Sequence, residues 1–277
     1  MKLNISLKLA FRILLCVAFV VFFLNVDVLA QGSGVIQISQ RNVPVAITKP
    51  GSYLLTSNLV VKDPNVIAIN ILADNVTIDL NGFAIIGPGY DSGGAGLAIS
   101  AGPNNISVRN GAVHGFGNIG VSLHGQYNNR AENLRVSSVR SCGIFVGRGG
   151  LIADCQIRGC GEGINVDDGS MIINNVLLEN ITGILMSGDC PAPIGGLMVI
   201  GNNCRMNGVG IKARSGGVGS RIEGNTITLN GIGIDLTDGT NNLFAKNYLQ
   251  GNETAITGEG DDIDGGSIDL ALSNIIR

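Results

Sequence analysis

The chain has 277 residues, a formal net charge of −3, 42 glycines and no Trp. The glycine content is more than twice the usual share of about 7%. Without residues 1–30 the net charge would be −5. This disfavours nucleic acid as a partner, because phosphate binding requires clustered Lys and Arg.

The first thirty residues have the pattern of an export signal. A basic start precedes an apolar run of twelve residues at 13–24, and Val28-Leu29-Ala30 presents small residues at a cleavage site. The run is shorter than the roughly 20 residues that a membrane span needs. We therefore predict a cleaved signal at 1–30, with an uncleaved anchor as the alternative. The mature chain, with no other apolar run of that length, would be secreted, periplasmic or attached to the cell surface.

Residues 31–60 are predicted to form an N-terminal β cap. Two alternating segments at 43–47 and 53–59 are separated by Lys49-Pro50-Gly51, which is typical of two short strands joined by a turn. Such a cap would cover the open end of the domain predicted at 61–277, since an uncapped stack exposes core and strand edges.

The rest of the chain repeats with a spacing of 20 to 27 residues. A small residue followed by an apolar residue recurs at Gly96-Leu97, Gly120-Val121, Gly143-Ile144, Gly163-Ile164, Gly183-Ile184, Gly210-Ile211, Gly233-Ile234 and Ala255-Ile256. Three apolar columns keep register with these pairs: positions seven and twelve residues before the apolar residue, and two after it. The pattern predicts a solenoid of about 8–10 rungs, each rung being one turn of chain.

Two further columns indicate that the rungs are β-structured. One contains Arg140, Cys160, Asn180, Asn207, Asn230 and Asn252, and the other contains Arg135, Cys155, Asn175, Asn202, Asn225 and Asn247. Asn accepts the left-handed backbone conformation, and its amide can bond to the Asn one rung away. No stretch shows the 3.6-residue period of a helical solenoid. The sequence therefore predicts an all-β parallel β-helix.

The segment 74–89, DNVTIDLNGFAIIGPG, together with the later Asn-Gly and Gly-Ile rungs, resembles the right-handed parallel β-helix proteins of the pectin-lyase-like superfamily. The segment 47–58 is similar to their N-terminal entry. The resemblance extends over roughly residues 34–258 and implies the right-handed form of the helix. It also implies polysaccharide as a substrate class, with paired carboxylates or a Ca²⁺ site on one outer sheet.

The catalytic motifs of that superfamily are not found. Of the polygalacturonase set only fragments occur, such as Asp167-Asp168, and pectate-lyase signatures rich in Trp and His are absent. The repeat register nevertheless places a charged cluster just after the Gly-Ile strands: Arg148, Asp167, Asp168, Asp189, Arg214 and Asp238. We predict Asp167, Asp168 and Asp189 as candidate catalytic residues, and Arg148, Arg214 and Asp238 as candidate substrate-binding residues. The competing interpretation is a series of turns with a solvated charged edge.

No metal site is predicted, because His114 and His124 have no evident third ligand. Ca²⁺ would be required only if the protein were a lyase. Cys204 falls in an apolar column and is expected to be a buried small side chain. A strand separates Cys155 from Cys160, which excludes a disulfide between them. A Cys142–Cys160 bridge and the state of Cys190 remain open.

Two classes of function follow. The first is an exported β-helix that binds carbohydrate or serves as a surface or structural module, without catalysis. The alternative is a pectate-lyase-like or polygalacturonase-like lyase or hydrolase of acidic (uronate) polysaccharide, acting through the Asp-rich edge. The missing motifs and the lack of Trp platforms for sugar rings favour the first. The sequence does not specify an oligomeric state.

Overall fold

The computed structural model describes residues 34–125, 127–187, 196–214, 219–239, 241–258, 263–264 and 274–276. The predicted signal at 1–30 lies outside the described residues. Residues Ile36–Arg277 form one compact unit. Among the described residues, no helix is long and apolar enough to cross a membrane.

The described secondary structure consists of short strands and two 3₁₀ turns, Gln40–Asn42 and Tyr90–Ser92. The strands of the N-terminal half are β1 Ile36–Ile38, β2 Val45–Ile47, β3 Gly51–Leu55, β4 Leu59–Val60, β5 Ile69–Ile71, β6 Val76–Asp79, β7 Ala84–Ile86, β8 Leu97–Ala101, β9 Ile106–Phe116, β10 Ile119–Leu123, β11 Arg130–Val139 and β12 Cys142–Val146. Those that follow are β13 Leu151–Ala153, β14 Gln156–Arg158, β15 Glu162–Val166, β16 Met171–Ile173, β17 Val176–Leu178, β18 Thr182–Met186, β19 Met198–Ile200, β20 Asn203–Arg205, β21 Val209–Ala213, β22 Arg221–Glu223, β23 Thr226–Thr228, β24 Ile232–Asp235, β25 Leu243–Ala245, β26 Tyr248–Gln250, β27 Thr254–Thr257, β28 Ile263–Asp264 and β29 Ile275–Ile276.

The described strands form two parallel sheets, one of nineteen strands and one of ten. The nineteen-strand sheet contains two ladders, which the long strands β9 and β11 join. We call the ladder through β13, β16, β19 and β22 the first face, and the ladder through β14, β17, β20 and β23 the second face. The ten-strand sheet, from β2 through β12 and β15 to β27, is the third face. The all-β parallel solenoid predicted from the sequence is confirmed.

The three predicted apolar columns are the core. Cross-strand pairing connects Ile152 with Ile172, Ile157 with Leu177, and Val166 with Met186, and these side chains are buried. The pairing differs from the predicted register at one rung, where Leu97 pairs with Ile119 and Ile99 pairs with Val121. The counterpart of Gly120 is therefore Ala98 and not Gly96. Gly96 lies two positions before the true repeat position, and together with Leu97 it gives the same small-apolar pair as the repeat.

The two predicted asparagine ladders are present, and their members are buried except for the half-buried Asn252. Asn175, Asn202, Asn225 and Asn247 form one, which continues to the half-buried Asn274, and each side-chain amide donates to the carbonyl oxygen of the next at 2.9–3.1 Å. Asn180, Asn207, Asn230 and Asn252 form the other, at 2.9–3.0 Å. Each Asn also accepts from the backbone N–H of the Asn before it, as Asn202 does from Asn175 at 2.9 Å. The ladders thus provide hydrogen-bond partners for buried backbone and side-chain amide groups at two corners of the solenoid.

The predicted reason for asparagine at these corners was wrong in one respect. The left-handed conformation belongs to the residue before each ladder position, for example Asn174 at φ 58°, Glu179 at φ 55° and Met206 at φ 57°. The ladder asparagines are therefore selected for their amide hydrogen bonds. The corner geometry itself accepts residues as different as Glu and Met.

Neither ladder extends to Arg135 or Arg140, contrary to the predicted columns. Arg135 pairs with Gln156, and this places Leu134 in the ladder position. Arg140 is exposed, and the buried Val139 takes the second ladder position, since the Gly161 N–H donates to its carbonyl oxygen at 3.2 Å. The repeat length changes at this rung, so counting back from Ile144 gave positions that are one residue late.

Cys155 and Cys160 form the transition between amide and aliphatic ladder positions. Their backbone N–H groups donate to Asn175 and Asn180 at 2.9 Å, as an Asn in their place would. The Cys155 thiol contacts the Ala131 carbonyl oxygen at 3.6 Å. A thiol has one hydrogen to donate, whereas a side-chain amide has two. The side-chain hydrogen bonds of each ladder therefore end at the rung 151–170.

Candidate functional site

The third face carries a polar column along its outer surface. In each strand the residue that directly follows the inward Ile or Val projects outward, and cross-strand pairing aligns these residues from rung to rung. The column contains Asn70, Ser100, Ser122, Phe145, Asn165, Leu185, Lys212, Asp235 and Thr257. Inward residues on the same strands are aliphatic or Met and are buried. Three members of the column, Ser122, Leu185 and Asp235, are buried, and the other six are half-buried. The solenoid therefore presents a long row of mostly hydrogen-bonding side chains that is covered at three rungs.

A second row lies just beyond the strand ends. Backbone hydrogen bonds continue the parallel register by one residue, from Asp167 N–H to the Val146 carbonyl at 3.2 Å and from Arg214 N–H to the Met186 carbonyl at 3.0 Å. Ser187 lies between these two rungs and bonds in the same way at 3.1 Å. The structure thus places Asp167 and Arg214 in one row, as their spacing predicted.

Arg148 and Asp168 occupy the next position of neighbouring rungs. Arg148 Nη2 is 4.0 Å from Asp168 Oδ2, and the Asp168 side chain is only 3% exposed. Within the described part of the chain, neither carboxylate oxygen of Asp168 has a hydrogen-bond partner, and neither has Arg148 Nη2. Burial raises the pKa of Asp168, and the nearby Arg148 opposes that rise. An unsatisfied buried carboxyl group is costly for folding and is therefore notable at this edge.

The remaining predicted site residues lie apart from this pair. Asp238 is exposed on the rung of β24, three rungs away from β15 in the third face. Asp189 lies outside the described residues. Sequence spacing therefore places Arg148 beside Asp168, and Asp167 in the same row as Arg214 but two rungs away, while the three candidate catalytic carboxylates do not form a described cluster.

Sequence reasoning missed the centre of the outer column. Phe145 is half-buried and pairs with Ser122 on one side and Asn165 on the other. The Asn165 side chain donates to Glu162 Oε2 at 2.8 Å and accepts from the Ser187 hydroxyl. An aromatic ring thus lies beside an ordered set of polar groups. Strand alternation would have revealed this arrangement, because each of Phe145 and Asn165 directly follows the inward Ile of its rung.

The C-terminal part of the column contains an ion pair. Lys212 Nζ donates to Asp235 Oδ2 at 2.7 Å, and the Thr237 and Thr257 hydroxyls donate to Asp235 Oδ1 at 2.7 and 3.1 Å. Burial raises the pKa of Asp235, but the hydrogen bonds from Lys212 and Thr237 outweigh it and lower the pKa to about 2.

Asp235 should therefore contribute to stability at neutral pH and lose that contribution in acid. Because its folded pKa lies below its unfolded pKa, the contribution is complete above about pH 4 and disappears as pH falls towards about 2. We expect Asp235→Asn to lower the free energy of unfolding at pH 7 by about 2 kcal/mol and to flatten its acid dependence. Urea titrations from about pH 7 to about pH 2 measure this. An acid limb identical to that of the parent would contradict it.

The N-terminal part of the column borders a groove of about 480 Å³ lined in part by Asn70, Ser100 and His124. His124 Nδ1 is 3.4 Å from the Ser122 hydroxyl. His114 projects from the second face instead, paired with Ser137. The two histidines that the sequence placed ten residues apart are thus on different faces.

The four described cysteines are free thiols and buried. Burial raises the pKa of Cys155 and Cys204 to about 12 and of Cys160 to about 11, and it also raises the pKa of Cys142. Cys142 and Cys160 are not bridged. Cys204 faces inward, as predicted, while Cys190 lies outside the described residues.

Comparison with known proteins now identifies the family. The family model described as "Periplasmic copper-binding protein (NosD)" matches residues 70–265. The chain belongs to the NosD family. No curated protein gives a significant match.

Two solved structures have a fold similar to this NosD-family chain. XylC in complex with xylose has 10% identity and a TM-score of 0.57, covering 68% of this chain and 38% of its own. The A-module of mannuronan C-5 epimerase AlgE4 from Azotobacter vinelandii has 13% identity and a TM-score of 0.52, covering 78% and 71%. This chain thus matches little more than a third of the XylC chain. The predicted right-handed, pectin-lyase-like β-helix is confirmed.

The family description mentions copper, and the described residues can be tested for a fit. Among them, no three His, Cys, Asp or Glu side chains are grouped so that they could hold a metal ion. The described thiols have raised pKa values, whereas a thiol must lose its proton to bind a metal. The described part of the chain therefore does not fit a copper centre built from these ligands.

Proposed function

We propose that this NosD-family chain is exported and binds an extended polysaccharide along the third face, without cleaving it. The observation that supports the proposal is the outer column from Asn70 to Thr257, in which six of the nine side chains, including Phe145 near the middle, are half-buried and the other three are buried. Nine strands at about 4.8 Å spacing give the column a length of roughly 40 Å. Such a surface suits a polymer better than a compact small molecule, which proteins usually enclose in a cleft.

The chemistry of the column also suits a sugar chain. Sugar rings have apolar faces and hydroxyl edges, so an aromatic ring flanked by hydrogen-bonding side chains can serve both. Phe145 provides the ring, while the half-buried Asn165 and Glu162 provide donors and acceptors beside it. These groups lie on regular strands, and Asn165 is fixed by its hydrogen bond to Glu162, which reduces the entropy lost on binding.

Export and carbohydrate binding receive support from different sources. The apolar run at 13–24 and the periplasmic family description favour the periplasm. One of the two similar structures is a xylose complex and the other is a mannuronan epimerase module, which favours a carbohydrate ligand.

The alternative is a lyase or hydrolase of acidic polysaccharide that uses Asp167, Asp168 and Asp189. The raised pKa of Asp168 favours it, because a general acid must hold its proton near neutral pH. Against it, the Asp168 side chain is almost completely buried beside Arg148. A substrate would have to reach a carboxyl group that the surrounding chain covers.

The proposal predicts that Phe145→Ala weakens binding without unfolding the protein. Loss of the ring should reduce affinity about tenfold, equivalent to about 1.4 kcal/mol. Calorimetric titration with uronate and neutral oligosaccharides, and retardation in gels containing the polymers, measure this effect. Val176→Ala, on the second face, is the matched control and should bind as the parent does.

The same preparations distinguish binding from cleavage. Polymer incubated with the parent should yield neither unsaturated products nor new reducing ends, with or without Ca²⁺. Product formation that Asp168→Asn abolishes would establish the enzyme alternative. Equal affinity of Phe145→Ala and the parent would contradict the proposed binding face.

A further inference from the structure

The outer surface of the first face is apolar on three consecutive rungs. Cross-strand pairing aligns Leu151, Met171 and Met198 in one outward column, and Ala153, Ile173 and Ile200 in the next. We call these six residues the apolar patch. Met171 is 36% exposed although it lies in the middle of a strand ladder, Ala153 is buried, and the other four residues are half-buried. A contiguous apolar patch on a soluble domain commonly marks an interaction surface.

Charged residues border the patch at both ends in a regular pattern. The first column continues to Arg130 on one side and Arg221 on the other. The second column continues to Glu132 and Glu223 on the same two rungs. Each end of the patch therefore carries one Arg and one Glu, with both Arg in the same column. Within the chain Glu223 forms ion pairs with Arg221 and with Lys246, whose Nζ is 3.0 Å from Glu223 Oε1, so the intermolecular pair at this end is the weaker of the two.

We propose that two copies of this chain pair side by side through the apolar patch, with their solenoid axes parallel. A two-fold axis along the solenoid direction keeps each rung opposite the same rung of the second copy and exchanges the two columns. Arg130 then faces Glu132 of the second copy, and Arg221 faces Glu223. The apolar columns face each other between these charged pairs, so the surface is self-complementary, as a two-fold interface requires.

The opposite arrangement is disfavoured by the same charges. A two-fold axis along the strands would reverse the order of rungs and keep each column opposite itself. Arg130 would then face Arg221 of the second copy, and Glu132 would face Glu223. Like charges at both ends would oppose this antiparallel dimer.

The interface is small, since the rungs of Arg130 and Arg221 are separated by four strand spacings, about 19 Å. Small interfaces bind weakly. We therefore expect a dissociation constant on the order of 10–100 µM, with monomer predominating in dilute solution.

Charge reversal tests the arrangement by sedimentation equilibrium at increasing concentration. Arg130→Glu should put the new carboxylate opposite Glu132 of a second copy and raise the dissociation constant about tenfold or more. Glu132→Arg should do the same. Mixing the two variants should restore association, because each then offers the charge that the other lacks, and the double variant should associate like the parent.

An apolar variant and its control complete the test. Met171→Lys should abolish association, while Ile181→Lys, at an exposed position outside the patch, should leave it unchanged. Circular dichroism and thermal melting confirm that each variant is folded. Tighter association of Arg130→Glu would instead support the antiparallel dimer. A parent that stays monomeric at millimolar concentration, or a patch that binds only lipid vesicles, would overturn the proposal.

Discussion

Asn202→Asp should destabilise the protein more than any other single change considered, although the two side chains have almost the same shape. The Asn202 carbonyl oxygen accepts from the backbone and side-chain N–H groups of Asn175 at 2.9 and 3.0 Å. Its amide nitrogen donates to the Asn225 side chain at 3.1 Å and to the Ile172 carbonyl at 2.9 Å. A carboxylate keeps the first two bonds but replaces both donations with repulsion between oxygens.

The expected loss at neutral pH is about 3–5 kcal/mol in the free energy of unfolding, because a buried negative charge then faces two acceptor oxygens. Burial should raise the pKa of the introduced carboxyl group above its value in the unfolded chain. Stability should therefore be partly recovered as pH falls from about 7 to about 5, since the protonated acid can again donate to Asn225. Urea titration at several pH values measures both effects.

Asn203→Asp provides the matched control one residue away. Asn203 is exposed and lies outside the ladder. The same chemical change there should alter stability by less than about 0.5 kcal/mol. Equal effects at the two positions would show that the ladder does not stabilise the fold as described.

Gly163→Ala should cost about 3 kcal/mol, at the upper end of the usual penalty for overpacking a core. A methyl group at Gly163 would lie 2.7 Å from the Gly183 carbonyl oxygen and 3.0 Å from Leu177 Cδ2. The first contact is with the backbone of the next rung, which cannot move without disturbing the strand pairing of β15 with β18. Thermal and urea unfolding of the variant measure the cost.

The control is the reverse change at the last strand of the third face. Ala255 occupies the same repeat position on β27, beyond which the sheet has no further described strand. Ala255→Gly should cost only about 0.5–1 kcal/mol, through backbone entropy. Ala98 shows that some rungs accept a methyl group here, so the expectation rests on the contacts of Gly163. An unfolding midpoint of Gly163→Ala equal to that of the parent would refute the expected destabilisation.

Much of the fold could be predicted from the sequence because each rung repeats the same physical requirements. Ile152 and Ile172 have to be buried in register. Asn175 and Asn202 have to provide hydrogen bonds to the buried backbone groups at the corners, which water cannot reach. Two kinds of detail were not predictable. The repeat length changes near Leu134, and the conformation of a corner residue such as Met206 is imposed by its neighbours and not by its own preference.

The candidate site was predicted less completely for a different reason. The charged edge was predicted as the site because paired carboxylates such as Asp167 and Asp168 can act in catalysis. The structure shows Asp168 buried beside Arg148. The outer column around Phe145 was missed because a single Phe and scattered Ser and Asn have no motif. Only the stacking of rungs brings them into one row, and that information lies in the register rather than in any one segment.

The most direct test of polysaccharide binding is calorimetric titration of the purified protein with uronate oligosaccharides of increasing length. A long open column predicts that affinity rises with the number of sugar units, since each further rung adds contacts. Phe145→Ala should lower affinity for every length that reaches the middle rungs, while Val176→Ala should not. Absence of binding at all lengths, or affinity that neither length nor Phe145→Ala changes, would contradict the claim that the third face binds a polysaccharide chain.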